Sequence, residues 1–135
     1  MKYDEYVKII STIPEPKYKP IFNTKGRLVI CLIEYRVMDE INYVINAMLR
    51  VYKSSEIGFS IVYGNINKQF IESKYKHWKN IKLINTGDDN LSRETYSVML
   101  KQPTFWEKFL NWSHILIYQT DALILRRIND IYFKY

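Results

Sequence analysis

Three short stretches carry residue types that can do chemistry. In "HILIYQTDALIL" (114–125), Gln119, Thr120 and Asp121 interrupt an otherwise apolar run. In "IEYR" (33–36), Glu34 and Arg36 close a second apolar run, and in "GDDN" (87–90), Asp89 and Asn90 stand in a polar turn. A buried carboxylate without a partner costs on the order of several kcal/mol even after relaxation. Asp121 therefore either lies at an exposed strand end, capping the next turn, or is held where binding requires it. A carboxylate oxygen suits a hard divalent cation, which takes ligands from one or two carboxylates, phosphate and water. Glu34 and Arg36 can contact a ligand or pair with each other. Asp89 and Asn90 can touch a ligand or simply make the turn.

The elements that must position these residues follow from hydrophobic pattern. "RLVICLIEY" (27–35) is a continuous apolar run, as in a strand covered on both faces. Asp39 can cap a following helix, in which Ile41, Val44, Ile45, Met48, Leu49 and Tyr52 repeat at helical spacing. "IGFSIVYG" (57–64) reads as a second strand, "NKQFIESKYK" (67–76) as a weaker helix and "IKLINTG" (81–87) as a third strand. Ser92 can cap "RETYSVML", Pro103 breaks or restarts the helix, and Thr104 with Glu107 offers a capping box for "TFWEKFL". The whole of 114–125 reads as the fourth strand, and "NDIYFKY" as a short closing helix. Residues 1–26 hold three of the four prolines and read as an extended lead-in, with a short helix over 3–10.

Alternating strands and helices argue for an open, mostly parallel α/β sheet with helices on both faces. Ligands of such sheets bind outside the carboxyl ends of the strands. That rule selects Glu34–Arg36, Gly64–Asn65, Gly87–Asn90 and Gln119–Asp121.

Composition bounds the class. The chain has 135 residues, 47% hydrophobic and 25% charged, which fits one globular domain. Its net charge of +6 permits phosphate-bearing partners, but the basic residues are scattered and no run exceeds Arg126-Arg127. Nucleic acid is therefore not the expected partner. A single cysteine, Cys31, excludes an internal disulfide and a Cys-based zinc site, and His77 and His114 are too few for a histidine cluster. No apolar run approaches the ~20 residues of a membrane span, and the first residues hold no apolar signal core. A soluble cytoplasmic protein is expected. No Gly-x-Gly-x-x-Gly follows the first strand, and there is no Gly-Lys-Ser/Thr loop and no serine elbow. Tyr96, Phe105 and Trp106 read as core and His77 as a surface residue.

"ILIYQTDALILRRINDIY" (115–132) resembles the metal-binding strand of GT-A glycosyltransferases, in which an apolar strand leads to Asp-x-Asp, a second apolar stretch and a short helix. Gln119-Thr120-Asp121 stands in the Asp-x-Asp place, with neutral Gln119 as the departure. With "IEYR", Asn46, "DNLSRETY" (89–96) and "FW" (105–106), the chain resembles a glycosyltransferase-like family of bacteria, fungi and giant viruses carrying a QTD motif in place of Asp-x-Asp. That family has no settled activity.

The resemblance implies the nucleotide-binding half of a GT-A fold over 27–135 and a nucleoside-diphosphate sugar as ligand, with transfer of its sugar to an acceptor. It implies that Asp121 holds a divalent cation, Mn²⁺ or Mg²⁺, or the diphosphate, and that Glu34 and Arg36 contact the nucleotide. Gln119 and Thr120 would line the site, Asp89 and Asn90 touch base or sugar, and Arg126 and Arg127 offer the diphosphate two cations or remain solvated. Because a GT-A fold continues beyond this strand, an incomplete C-terminus is expected, with self-association or pairing to a missing half. The alternative is a degenerate module that binds nucleotide-sugar or protein without turnover.

Overall fold

A computed structural model describes residues 2–129 and Phe133. Four strands, β1 (Gly26–Ile33), β2 (Gly58–Tyr63), β3 (Lys82–Asn85) and β4 (Trp112–Tyr118), form one sheet in the order β3-β2-β1-β4. Each pairing is parallel. The helices are α1 (Tyr3–Ile10), α2 (Glu40–Val51), α3 (Lys68–Tyr75), α4 (Arg93–Lys101) and α5 (Pro103–Glu107).

The central strand explains why both faces are covered. Leu28, Ile30 and Leu32 of β1 face a core built with Ile41, Val44, Ile45 and Met48 of α2, Ile71 and Tyr75 of α3, and Ile10 of α1. Val29, Cys31 and Ile33 alternate to the opposite face, where they meet Phe105 and Phe109, with Tyr96, Met99 and Leu100 of α4 packed alongside. Because both faces are covered, every position from Leu28 to Ile33 is buried and apolar, and the polar residue of the strand, Arg27, lies in its exposed first two positions. The lead-in contributes to the same core, since Ile10 and Phe22 are both buried.

The helix starts were only partly as expected. Ser92 caps α4: its Oγ accepts from the Thr95 N–H at 3.1 Å, and the Thr95 hydroxyl accepts from the Ser92 N–H at 2.8 Å. Asp39 occupies the N-cap position of α2 in helical conformation, and its side chain makes no cap bond. The Thr104/Glu107 box does not form. Pro103 opens α5 with Gln102 at the N-cap, so Thr104 already lies inside the helix.

Strand β4 ends at Tyr118, not at Leu125. The Gln119 carbonyl accepts from the Ala122 N–H at 3.1 Å, closing a turn over Gln119-Thr120-Asp121-Ala122. Beyond it Leu123 and Ile124 pack onto the α2-side core without strand pairing. A short apolar run reads alike as a strand or as a coil laid over a helix, and here the turn decides. The closing helix expected over 129–135 falls largely outside the described residues. No described helix is long and apolar enough to cross a membrane.

Candidate functional site

The strand order places the reversal of winding between β1 and β4. Chain connections run from β1 outward to β2 and β3 on one side, then cross to β4 on the other. In open parallel sheets this switch point leaves a crevice beyond the carboxyl ends of the two strands. Because β1 and β4 are parallel, Glu34, following Ile33, and Gln119, following Tyr118, emerge on the same edge.

A cavity of about 470 Å³ opens there. Five of the expected site residues, Glu34, Arg36, Asp89, Asn90 and Gln119, line it. Tyr35, Val37, Ile66 and Leu91 complete the wall. Val37 and Ile66 are more than half exposed and stand at the mouth beside exposed Arg36, Asp89 and Asn90, over a floor that includes buried Glu34.

Glu34 is the hub of that floor. Its side chain is 6% exposed, while that of Arg36 is 73% exposed. Glu34 Oε2 accepts from the Tyr35 N–H at 2.9 Å, the Arg36 N–H at 3.1 Å and Arg36 Nε at 3.1 Å. Oε1 accepts from Arg36 Nη2 at 2.9 Å and from the Thr120 hydroxyl at 2.9 Å. The guanidinium therefore grips the carboxylate as a fork, the strong geometry for this pair. Burial alone raises the Glu34 pKa, but the bonds from Arg36 and Thr120 together outweigh it and hold the carboxyl below its ordinary value. Of the two roles open to Glu34 and Arg36 in the sequence, mutual pairing is realised, and it occurs inside the cavity wall.

Thr120 is buried beneath the wall rather than lining it. Its carbonyl accepts from the Tyr6 hydroxyl at 3.2 Å, so α1 reaches across to the turn after β4. Asp121, at the exposed corner of that turn, is not among the cavity-lining residues. The carboxylate in the middle of an apolar run thus carries no burial cost, because the strand has already ended. Its charge is felt locally: burial first, then Asp121, pushes the Tyr6 phenol up, and Asp121 adds to the larger effect of Glu34 in raising Arg36. Among the described residues no group of three or more His, Cys, Asp or Glu is placed to hold a metal ion. A cation beside Asp121 would have that one carboxylate and would take its other ligands from phosphate and water.

Arg127 is not at this site. It pairs with Glu56 at 2.6 Å and lies over the Tyr52 ring, in a cavity that also includes Arg27 at the start of β1. That is the opposite end of the strands. Arg126 is exposed.

The sequence reading missed the clamp that fixes the loop after β1. Asn67, fully buried, donates through Nδ2 to the Glu34 carbonyl at 2.8 Å and the Arg36 carbonyl at 3.2 Å, and accepts from the Gly64 N–H at 3.1 Å. Its only sequence signal is an Asn three residues after the strand-ending Gly64, a position suited to a side-chain-to-backbone turn. Gly64 itself is required by close approach, since a Cβ there would lie 2.2 Å from the Asp88 carbonyl oxygen. The Asn65 N–H donates to that same carbonyl at 2.9 Å, tying the turn with Asp89 and Asn90 to the end of β2. Tyr6 gave no signal at all, because its partner is 114 positions away.

Fold and site together define an open, parallel α/β domain with a polar cavity at its switch point. Residues 80–135 match the family described as "Protein of unknown function (DUF5672)". The matched region runs through β3, α4, α5, β4 and the Gln119–Asp121 turn. No curated protein and no solved structure matches the chain.

Proposed function

We propose that the chain binds a nucleoside-diphosphate sugar in the switch-point cavity and acts as a glycosyltransferase, or as the nucleotide-sugar-binding half of one. The observation that carries this reading is the convergence of Glu34, Arg36, Asp89, Asn90 and Gln119 on one cavity of about 470 Å³ at the carboxyl edge of β1 and β4.

Each residue has a role suited to its chemistry. Arg36 uses Nε and Nη2 on Glu34, which leaves Nη1 and the exposed face of the guanidinium for a phosphate. Glu34 orients that guanidinium and takes no part in proton transfer, since its oxygens are occupied. Asp89, Asn90 and Gln119 supply acceptors and donors for ribose or sugar hydroxyls and for base edges. Val37, Ile66 and Leu91 offer an apolar surface to a base. A Mn²⁺ or Mg²⁺ ion would be held by Asp121 and would enter with the diphosphate, whose charge it would neutralise. The lone cysteine fits a reducing, cytoplasmic setting.

Two points favour the alternative, a module that binds nucleotide-sugar without turnover: neutral Gln119 stands in the first place of the Asp-x-Asp pattern the chain resembles, and Asp121 stands outside the cavity lining. A thermal-shift series with UDP-glucose, GDP-mannose and the free diphosphates, with and without Mn²⁺, tests binding. Release of nucleoside diphosphate then separates the two readings. A rise in melting temperature is expected. No rise with any nucleotide, together with tight, salt-sensitive oligonucleotide binding, would overturn both.

A further inference from the structure

The two edges of the sheet are unlike. At one edge, β3 is only four residues long, begins with Lys82 and follows Lys79. Short length and lysine are common guards against the addition of a further strand. At the other edge, β4 runs for seven residues, Trp-Ser-His-Ile-Leu-Ile-Tyr, without Lys, Arg, Asp, Glu or Pro. It holds one register with β1 from Trp112 to Tyr118, and no described strand lies beyond it. Among the described residues, no turn or loop backbone bonds to the backbone of residues 115–118. An edge strand of this kind presents a row of unpaired N–H and C=O groups.

The side chains agree with the backbone. Ile115, Leu116 and Ile117 are each only half-buried, beside a β1 that is buried from Leu28 onward. Leu110, just before the strand, is 76% exposed. An apolar, uncharged edge is a template for main-chain pairing, with side chains adding contact on both faces.

Charge and closure identify the incoming strand. With a net charge of +6, two copies of the chain repel each other over most of their surface. β4 meeting itself opposes no like charges. A two-fold axis at Ile115 sets two β4 strands antiparallel over their full length: Trp112 faces Tyr118 of the second copy, Ser113 faces Ile117, and Ile115 faces itself. Each copy then satisfies the open edge of the other. The joined sheet has twice four strands and ends on both sides at a guarded β3, so association closes at two copies.

We propose that the chain forms a two-fold dimer by antiparallel pairing of β4 with β4 of a second copy. The switch-point cavities then open toward opposite ends of the joined sheet. None of their lining residues belongs to β4, so the proposal does not depend on what those cavities bind.

The test is sedimentation equilibrium of the full chain across the micromolar range, where a reversible monomer–dimer equilibrium is expected. Ser113 is exposed, so Ser113→Lys keeps the fold; the charge it sets on the paired edge should raise the dimer dissociation constant at least about tenfold. Cysteine variants read the register. Opposed Cα atoms of an antiparallel pair lie ~4.5–5.5 Å apart, within the reach of a disulfide. Mild oxidation should therefore link Ile115→Cys chains into covalent dimers. Ser113→Cys chains should not link, because each Ser113 faces Ile117. Native Cys31 is buried and takes no part. A chain that stays monomeric throughout, larger open assemblies, a dimer indifferent to Ser113→Lys, or linkage of Ser113→Cys ahead of Ile115→Cys would overturn the proposal.

Discussion

The Thr120 hydroxyl donates to Glu34 Oε1 at 2.9 Å, joining the end of β4 to the end of β1 across 86 positions of sequence. It is the contact through which the turn carrying Asp121 feels the loop carrying Arg36. Removing the hydroxyl while keeping the shape isolates its effect. Thr120→Val should cost about 1 kcal/mol in urea unfolding, and Thr120→Ser should restore most of it. The same Val variant should raise the Glu34 pKa, read from the carboxyl carbon shift by NMR.

Glu34 ties stability to pH. Its carboxyl holds its proton less tightly in the folded chain than in the unfolded one, where a glutamate titrates near ~4.3. The stability it contributes is therefore fully present above that value and is lost as pH falls through the lower, folded-state value. At neutral pH Glu34→Gln should cost about 2 kcal/mol, the scale of hydrogen bonds to a charged group. The gap between wild type and variant should narrow on acidification. Urea unfolding at several pH values measures it, and a constant gap would contradict the assignment.

Asp121 should matter to ligand and not to fold. It is exposed at a turn corner, so Asp121→Asn should change stability by no more than about 0.5 kcal/mol. The same substitution should remove any Mn²⁺-dependent component of the nucleotide-sugar thermal shift. A variant that unfolds would make Asp121 structural.

Gly64 is a packing requirement. A Cβ would meet the Asp88 carbonyl oxygen at 2.2 Å and the Tyr35 ring at 3.0 Å. Backbone and a buried ring cannot both give way, so Gly64→Ala should cost about 1–3 kcal/mol, the range for overpacking. Because the turn after β3 is held at this close approach, the proposed nucleotide binding, measured by thermal shift, should weaken along with stability in the same variant.

Cys31 should be silent in the folded protein. It is buried in the middle of β1, and burial pushes its thiol up to about 12. Only the thiolate reacts readily. Labelling by a disulfide reagent should therefore be negligible in native buffer and should follow the unfolding transition in denaturant.

Local pattern was enough for the class of fold. The unbroken apolar run of β1, the helical spacing from Ile41 to Met48 and the alternation of elements all depend on neighbours within a few residues, and they led to a parallel α/β sheet with two covered faces. The rule that ligands gather at the carboxyl edge then picked out Glu34, Arg36, Asp89, Asn90 and Gln119, which the fold collects in one cavity. What local pattern lacked was the end of β4: "ALIL" has a strand's composition, and only the Gln119–Ala122 turn and the surface of α2 beneath it set its course. Tertiary structure alone also divided the Gln-Thr-Asp triplet, with Gln119 on the wall, Thr120 buried on Glu34 and Asp121 out in solvent. The strand order, the Asn67 clamp and the reach of Tyr6 to Thr120 belong to the same class. Each is a pairing between residues far apart in the chain, and its energy exists only once the sheet has brought them to one edge.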